Sequence, residues 1–493
     1  MKKYWILLPV LMFFFACGNN RIDRKALVKR HIPTVDHVDV LSPFSVGNGE
    51  FAFTVDVTGL QTFMEEYNSG ILLGTHAQWG WHTVPNPNQY TLDQTFEYLK
   101  VDGRQVPYAS KQNSEAGQWL RANPHRLHLG KIGFSIQKSD GNEIQISDIK
   151  EIKQSADIWE GIIHSAFSVE DHPIHVETSC HPDVDQIAVR VQSDLLKEGQ
   201  IDIIFEFPYG SLAWGPQSAD WNSPNKHTSE IIVKDDNSVL IQRTLDTDIY
   251  YAHIQWEGNA QFDQLDVHSF KLSSSESDEL KMTCRFSKER DTNSDQNVEN
   301  TFHASKSHWQ NFWQTGGAVD FSGSIDHRAH ELERRVILSR YLTAIQCAGS
   351  IPPSETGLTC NSWYGKFHLE MHWWHAVQFA LWGKPDLLEK SLAWYNTILP
   401  MAKQKGERQG YEGVRWPKMV GFDGRESPST IGVFLIWQQP HPIYYAELLY
   451  QIHSHKETLE KYQNLVFESA DFMASFARWD GVNDRYIIGP PLI

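Results

Sequence analysis

The feature that most constrains the fold is a change of hydrophobic period near residue 300. Before it, apolar residues recur at every second position. Ile144 and Ile146 begin the pattern; Ile174, Val176 and Thr178 continue it, followed by Ile187, Val189 and Val191, then Ile201, Ile203, Phe205 and Phe207. Alternation of period two marks strands with one buried face. Asp235-Asp236-Asn237 between two apolar runs reads as a hairpin turn. So many strands without intervening helices predict a large antiparallel β-sandwich over residues 36–290, with Ser273-Ser274-Ser275 in a surface loop.

After residue 290 the period becomes 3.6. Trp309, Phe312 and Trp313 are spaced i, i+3, i+4 and predict an amphipathic linker helix within residues 291–323. From residue 324 to 493, Leu338, Tyr341, Leu342 and Ile345 share a helical face, as do Leu388, Leu392, Tyr395 and Leu399 in a helix opened by Pro385-Asp386. Leu459, Tyr462, Val466 and Met473 form a third stripe, supported by a Glu457–Lys461 pair. Glu370 to Trp382, stopped by Gly383, and Ile443 to Gln451 predict two further helices. The chain therefore reads as α+β and multidomain, which suits its 493 residues.

Composition narrows the function. The formal charge of −17 disfavours nucleic acid and anionic lipid as partners, and a neutral substrate suits it. Eighteen Trp is a high count, read either as core indoles or as platforms for the apolar faces of sugar rings. No GxSxG elbow, Walker loop or Rossmann fingerprint is present. At the N-terminus, Lys2 and Lys3 precede an apolar run from Tyr4 to Ala16, which has the form of a signal peptide. Phe14-Phe15-Ala16-Cys17 resembles a bacterial lipobox, so residues 1–17 are expected to be a lipoprotein signal ending at a lipidated Cys17, and residues 18–35 a tether. Export and a lipid anchor in the envelope, facing the periplasm or in the outer membrane, follow from that reading. Cys180, Cys284, Cys347 and Cys360 lack CxxC spacing, which argues against a cysteine zinc site; Cys347 and Cys360 are either one disulfide or free thiols.

Four segments carry a family resemblance, and they come in order. Phe44-Ser45-Val46-Gly47-Asn48-Gly49-Glu50-Phe51 is similar to the opening of the β-sandwich in the maltose and kojibiose phosphorylase family, which also contains glucosylgalactosylhydroxylysine glucosidases. Trp309 and Trp313 resemble that superfamily's linker helix. Tyr364-Gly365-Lys366-Phe367-His368-Leu369-Glu370 falls where members carry a YxGHxFWD-like motif. Gly413-Val414-Arg415-Trp416-Pro417, followed by Asp423-Gly424-Arg425-Glu426, looks like their GARFPW…TGRE segment. The resemblance implies an N-terminal β-supersandwich followed by a six-hairpin, or (α/α)6, toroid. A β half that precedes the helices matches the hydrolases and phosphorylases rather than toroidal polysaccharide lyases.

Inverting glycosidases need two carboxyls about 6.5–9.5 Å apart, one to protonate the leaving oxygen and one to activate water. By resemblance Glu426 is the candidate acid, between Trp416 and Trp437; the alternative is an exposed loop carboxylate paired with Arg425. Glu370 matches an Asp that holds a sugar hydroxyl in relatives, and an ordinary buried helix carboxylate is its alternative. Trp363, Trp373, Trp374 and Trp416 are candidates for stacking, and Arg415 and Lys418 for hydroxyl binding. His368, His372 and His375 lie near one helical face but lack an HExxH pattern, so they are expected to line the pocket by hydrogen bonding rather than bind metal. No cofactor is expected.

A six-hairpin toroid needs twelve helices, and about five are legible from residue 324 to 493. The chain is therefore expected to be part of a longer product, with the general base beyond residue 493. The expected function is an exported, inverting glycoside hydrolase acting on oligosaccharides or glycan side chains. Phosphorolysis and non-catalytic glycan binding are the alternatives.

Overall fold

The computed structural model describes residues 21–488 apart from 102, 275 and 292–296; Cys17 and the apolar run before it lie outside the described residues. The first element is helix α1 (Arg24–Lys29), capped by Asp23, whose carboxylate accepts from the Ala26 amide at 3.0 Å. The segment expected to be a tether thus contains a packed helix, because Leu27 and Val28 are buried.

The sandwich half is built on a nine-stranded antiparallel sheet. Its strands run in the spatial order Thr34–Val35, Lys150–Asp157, Ile162–Val169, His172–Cys180, Gln186–Gln192, Glu279–Ser287, Asp248–Glu257, Ser238–Leu245 and His227–Asp235. Register pairs like with like: Ile187 faces Cys284, Val189 faces Met282 and Val191 faces Leu280, all buried. A four-stranded sheet (Ala260–Asp266, Ser269–Ser274, Ile201–Glu206, Lys131–Ile136) aligns Phe262, Leu272, Ile203 and Phe134 in one row. These side chains share one core with the nine-stranded sheet, as facing sandwich layers do. The Asp236-Asn237 hairpin is present, with Asp235 opposite Ser238.

Three expectations for this half are corrected. Ile144 lies outside any strand and Ile146 opens a 3-10 turn, Ile146–Asp148, so a two-member alternation was too short to define a strand. Ser273 and Ser274 end a strand rather than forming a loop, and Ser274 is buried opposite Ala260; Ser275 lies outside the described residues. Two short helices, α2 (Glu115–Ala122) and α3 (Asp194–Lys197), interrupt the strands.

Helix α4 (Val298–Gln314) buries Trp309, Phe312 and Trp313, and the Trp313 indole donates to the Ile158 carbonyl at 2.7 Å. Beyond it come α5 (Ala329–Cys347), α6 (His372–Leu381), α7 (Pro385–Arg408), α8 (His441–Ile452) and α9 (Lys456–Phe476). Helix α6 packs on α7, and α8 packs on α7 and α9. Glu370 precedes α6 instead of beginning it. The buried face of α9 is Tyr462, Leu465, Ser469, Phe472 and Phe476, whereas Leu459 and Met473 are exposed. Its predicted stripe was rotated by about one position, and Lys461 pairs with Glu389 of α7 rather than with Glu457. A hairpin, Ala477–Asp480 with Arg485–Ile488, follows α9. The four cysteines Cys180, Cys284, Cys347 and Cys360 are free thiols.

The Val46-Gly47-Asn48-Gly49 turn is where the helical half docks on the sandwich. The Gly49 amide donates to the Ile345 carbonyl at 3.0 Å, and the Tyr341 hydroxyl donates to the Ser45 carbonyl at 3.1 Å. Asn48 closes the turn by accepting from the amides of Glu50 and Phe51 at 2.9 and 2.8 Å. Gly49 has φ +94°, and a Cβ there would lie 2.8 Å from the Ala348 carbonyl carbon. Gly49→Ala combines left-handed strain with a backbone collision and is expected to cost about 2–3 kcal/mol. Urea unfolding followed by tryptophan fluorescence checks this. A loss near zero would mean that the two halves do not depend on this turn.

Candidate functional site

Two motifs some fifty residues apart are brought together by a short β ribbon. Phe367 pairs with Val420 and His368 with Met419, and the Leu369 amide donates to the Lys418 carbonyl at 2.8 Å. On the other side Val420 bridges to Glu426, and the Ser427 amide donates to the Met419 carbonyl at 2.9 Å. The ribbon places the ends of Lys418, His368 and Glu370 in contact.

The cluster has close polar geometry. Lys418 Nζ lies 2.7 Å from Glu370 Oε1 and 2.8 Å from His368 Nδ1. The same imidazole nitrogen is 2.7 Å from Glu355 Oε2 and 3.8 Å from Glu370 Oε1. The bond with His368 holds the Glu355 carboxyl below its ordinary range, against a partial opposing effect of burial. His375 Nε2 meets the Glu355 carbonyl at 3.0 Å, and burial pushes His375 down to about 4, so it is neutral at ordinary pH. Among the described residues Glu370 Oε2 and His368 Nε2 are buried without a hydrogen-bond partner. Leaving such atoms unpaired costs about 1–3 kcal/mol each, so both are chemically suited to a polar partner.

An aromatic wall stands beside this cluster. The Trp363 ring lies 5.3 Å from the His368 ring and 5.9 Å from Lys418 Nζ. Trp363, Tyr364 and Gly365 take three consecutive left-handed conformations, with φ of 52°, 60° and 75°. Each non-glycine residue held there costs about 1–3 kcal/mol, so its surroundings must hold it in place. Lys366 does so by donating to the carbonyls of Leu120 and Asn123 at 2.8 and 2.9 Å, and its burial pulls it well below the ordinary lysine value. Trp214, from a loop of the sandwich half, packs edge-on against Trp363 at 4.3 Å, with the Arg121 guanidinium 4.6 Å over its own ring.

The predicted residues divide into two sets. Trp363, His368, Glu370 and Lys418 converge as described. Glu426 does not join them. It is 6% exposed and ion-paired with Lys405 of α7, while Arg425 donates to the Asn123 carbonyl. The aromatic-flanked loop acid implied by resemblance is therefore a buried ion pair in this structure. Burial draws Lys405 down to about 8, opposed by the Glu426 carboxylate.

Trp416 is fully buried, donating to Ser469 at 3.0 Å and lying edge-on to Tyr395, so it is core and not a platform. Arg415 is also sealed, bonded to Gln409 and to the Val433 carbonyl among Tyr108, Phe472 and Phe476. His372 is held between the Tyr395 and Ser391 hydroxyls. Trp373 is half-buried with one face stacked on Tyr444 at 4.4 Å, whereas Trp374 is 69% exposed. His368 and His375 thus both meet Glu355, whereas His372 is turned into the core.

Glu355, Trp214 and Arg121 escaped the sequence reading. Glu355 sits in a non-periodic turn, and the other two belong to the other half of the chain, so no local pattern flags them.

No protein-family profile matches the chain. A 1,2-alpha-glucosylglycerol phosphorylase from Bacillus selenitireducens is 21% identical over 207 residues, covering 39% of this chain and 26% of that protein. A solved structure assigned as a kojibiose phosphorylase, from the human microbiome, superposes with a TM-score of 0.65 at 12% identity, covering 92% of this chain and 61% of that one. A bacterial glucoamylase solved with acarbose superposes at 0.47 and 11% identity, covering 90% of this chain and 62% of that one. The chain has the fold of the kojibiose phosphorylase structure and spans less than two thirds of the length of each of these proteins.

Proposed function

We propose that this chain is part of a carbohydrate-active enzyme that cleaves glycosidic bonds with inversion, and that Glu370, Lys418, His368 and Glu355 grip the sugar beside Trp363. In this reading α5–α9 are a portion of an (α/α)6 toroid, and the N-terminal apolar run with Cys17 directs export and anchoring. The observation that carries the proposal is the buried Glu370 carboxylate, with one oxygen on Lys418 and the other unpartnered among the described residues, in a cluster whose Lys418 and His368 face the Trp363 indole. A carboxylate and an ammonium presented together fix sugar hydroxyls by charge-assisted hydrogen bonds, and the ring face stacks on the indole. Glu355 and Glu370 approach the same imidazole nitrogen, which suits a joint grip on one glycosyl unit.

Hydrolysis is the first reading because it suits an exported enzyme, where a sugar phosphate would be lost. Phosphorolysis is the second, favoured by the names of the glucosylglycerol and kojibiose phosphorylases to which the chain is similar. The test is product analysis on neutral gluco-disaccharides with and without inorganic phosphate. Free reducing sugar independent of phosphate is the expected result; sugar 1-phosphate formed only with phosphate favours the second reading. Saccharide binding without turnover under either condition, even in a longer product that carries the general base, would overturn both in favour of a binding protein.

A further inference from the structure

A cavity of about 640 Å³ lies between the sandwich half and the 359–361 loop of the helical half. That volume is in the range of small-molecule sites, roughly 300–1,000 Å³. In a chain of net charge −17, no Asp, Glu, Lys or Arg among the described residues lines it. Its polar lining includes imidazole, amide and hydroxyl groups: His76, His128, Gln217, Ser218 and Asn361. His76 Nε2 and Ser218 Oγ are 2.7 Å apart, and the His76 and His128 rings meet edge-on at 5.6 Å. Burial pushes His76 well below its ordinary value and His128 to about 4, so neither carries charge at neutral pH. At the mouth Trp221 is 43% exposed and lies edge-on to His128 at 5.7 Å.

We infer that this cavity is a second saccharide site, separate from the Glu370 centre, which takes an uncharged glycosyl unit against Trp221. A neutral lining excludes phosphosugars and uronic acids, since burying their charge without a counter-ion is costly. A partly exposed indole beside uncharged amide, imidazole and hydroxyl groups matches a pyranose, which is apolar on its face and polar at its edge. The site also has a structural link to the first. The loop that supplies Pro216 to Trp221 also supplies Trp214, which packs on Trp363, and Asn361 lies two residues before Trp363. The inference does not require the chain to be a catalyst.

The test is calorimetric titration of the full chain carrying Glu370→Gln with maltose, kojibiose and trehalose, and with glucuronic acid and glucose 1-phosphate as charged probes. Binding of at least one neutral disaccharide is expected to survive Glu370→Gln and Trp363→Ala. Adding Trp221→Ala should weaken it by about tenfold, and Trp221→Phe by less. Circular dichroism melts would show that substitution at the partly exposed Trp221 leaves the fold intact. Undiminished binding in the Trp221→Ala chain, loss of all binding in Glu370→Gln, or tighter binding of the charged probes would each overturn the inference. Turnover of the unsubstituted chain judges the catalytic reading separately.

Discussion

Glu370→Gln is expected to lower kcat/KM on a neutral gluco-disaccharide by about two to three orders of magnitude. In the unsubstituted chain one carboxylate oxygen meets Lys418 at 2.7 Å and the other has no partner among the described residues, although it is buried. Only a carboxylate offers acceptors in both directions. A glutamine presents an NH2 group either to the ammonium, which repels it, or to the sugar hydroxyl, which loses its charged acceptor. Hydrogen bonds to charged groups are worth about 1.5–3 kcal/mol, and more when they tighten at the transition state in a water-poor site. A purely structural Glu370 would instead lower the melting temperature and leave kcat/KM of the folded fraction unchanged. Steady-state kinetics with thermal melts on the same preparation separates the two, and unchanged kinetics would remove Glu370 from the site.

Glu426→Ala is expected to destabilise the chain by about 3–5 kcal/mol, the usual cost of stranding one partner of a buried ion pair. Both side chains are 6% exposed, and Lys405 has no other carboxylate in contact among the described residues. Lys405→Met in the same chain should restore part of the loss, because it removes the stranded ammonium while Ala in place of Glu leaves unfilled volume. Chemical denaturation of the two single variants and the double variant measures this coupling directly. A single-variant cost below about 1 kcal/mol would mean that Lys405 is reached by water. Kinetics on Glu426→Gln addresses the other possibility, the proton donor implied by the family resemblance. If the Lys405 pair is its whole role, turnover falls only as far as the folded fraction falls. A loss of turnover in a fully folded Glu426→Gln chain would make the pair a resting state of the acid.

Much of the architecture was legible in local pattern. The change from period two to period 3.6 divided strands from helices, and Trp309, Phe312 and Trp313 mark a buried face of the connecting helix. Period is a local property of a chain whose faces must choose between core and water, so it can be read one residue at a time. It failed where the local signal was short or shared between neighbours. Ile144 and Ile146 were too few to define a strand, and the buried face of α9 lay one position away from its apolar stripe because α7 and α8, not α9 alone, decide which face is covered.

The site followed the same division. The family resemblance of residues 364–370 singled out Glu370, and the aromatic and charged residues near the resembling segments made Trp363, His368 and Lys418 candidates beside it. Tertiary structure alone decided which candidates meet. It set Lys418 against Glu370 through a ribbon between distant segments, brought Glu355 to His368 from a turn without pattern, and laid Trp214 of the sandwich on Trp363. It also withdrew Trp416, Arg415 and His372 into the core and gave Glu426 to Lys405. The physical reason is that burial and pairing belong to groups far apart along the chain, whereas the sequence by itself specifies only the chemistry each residue carries and the face of the element on which it stands.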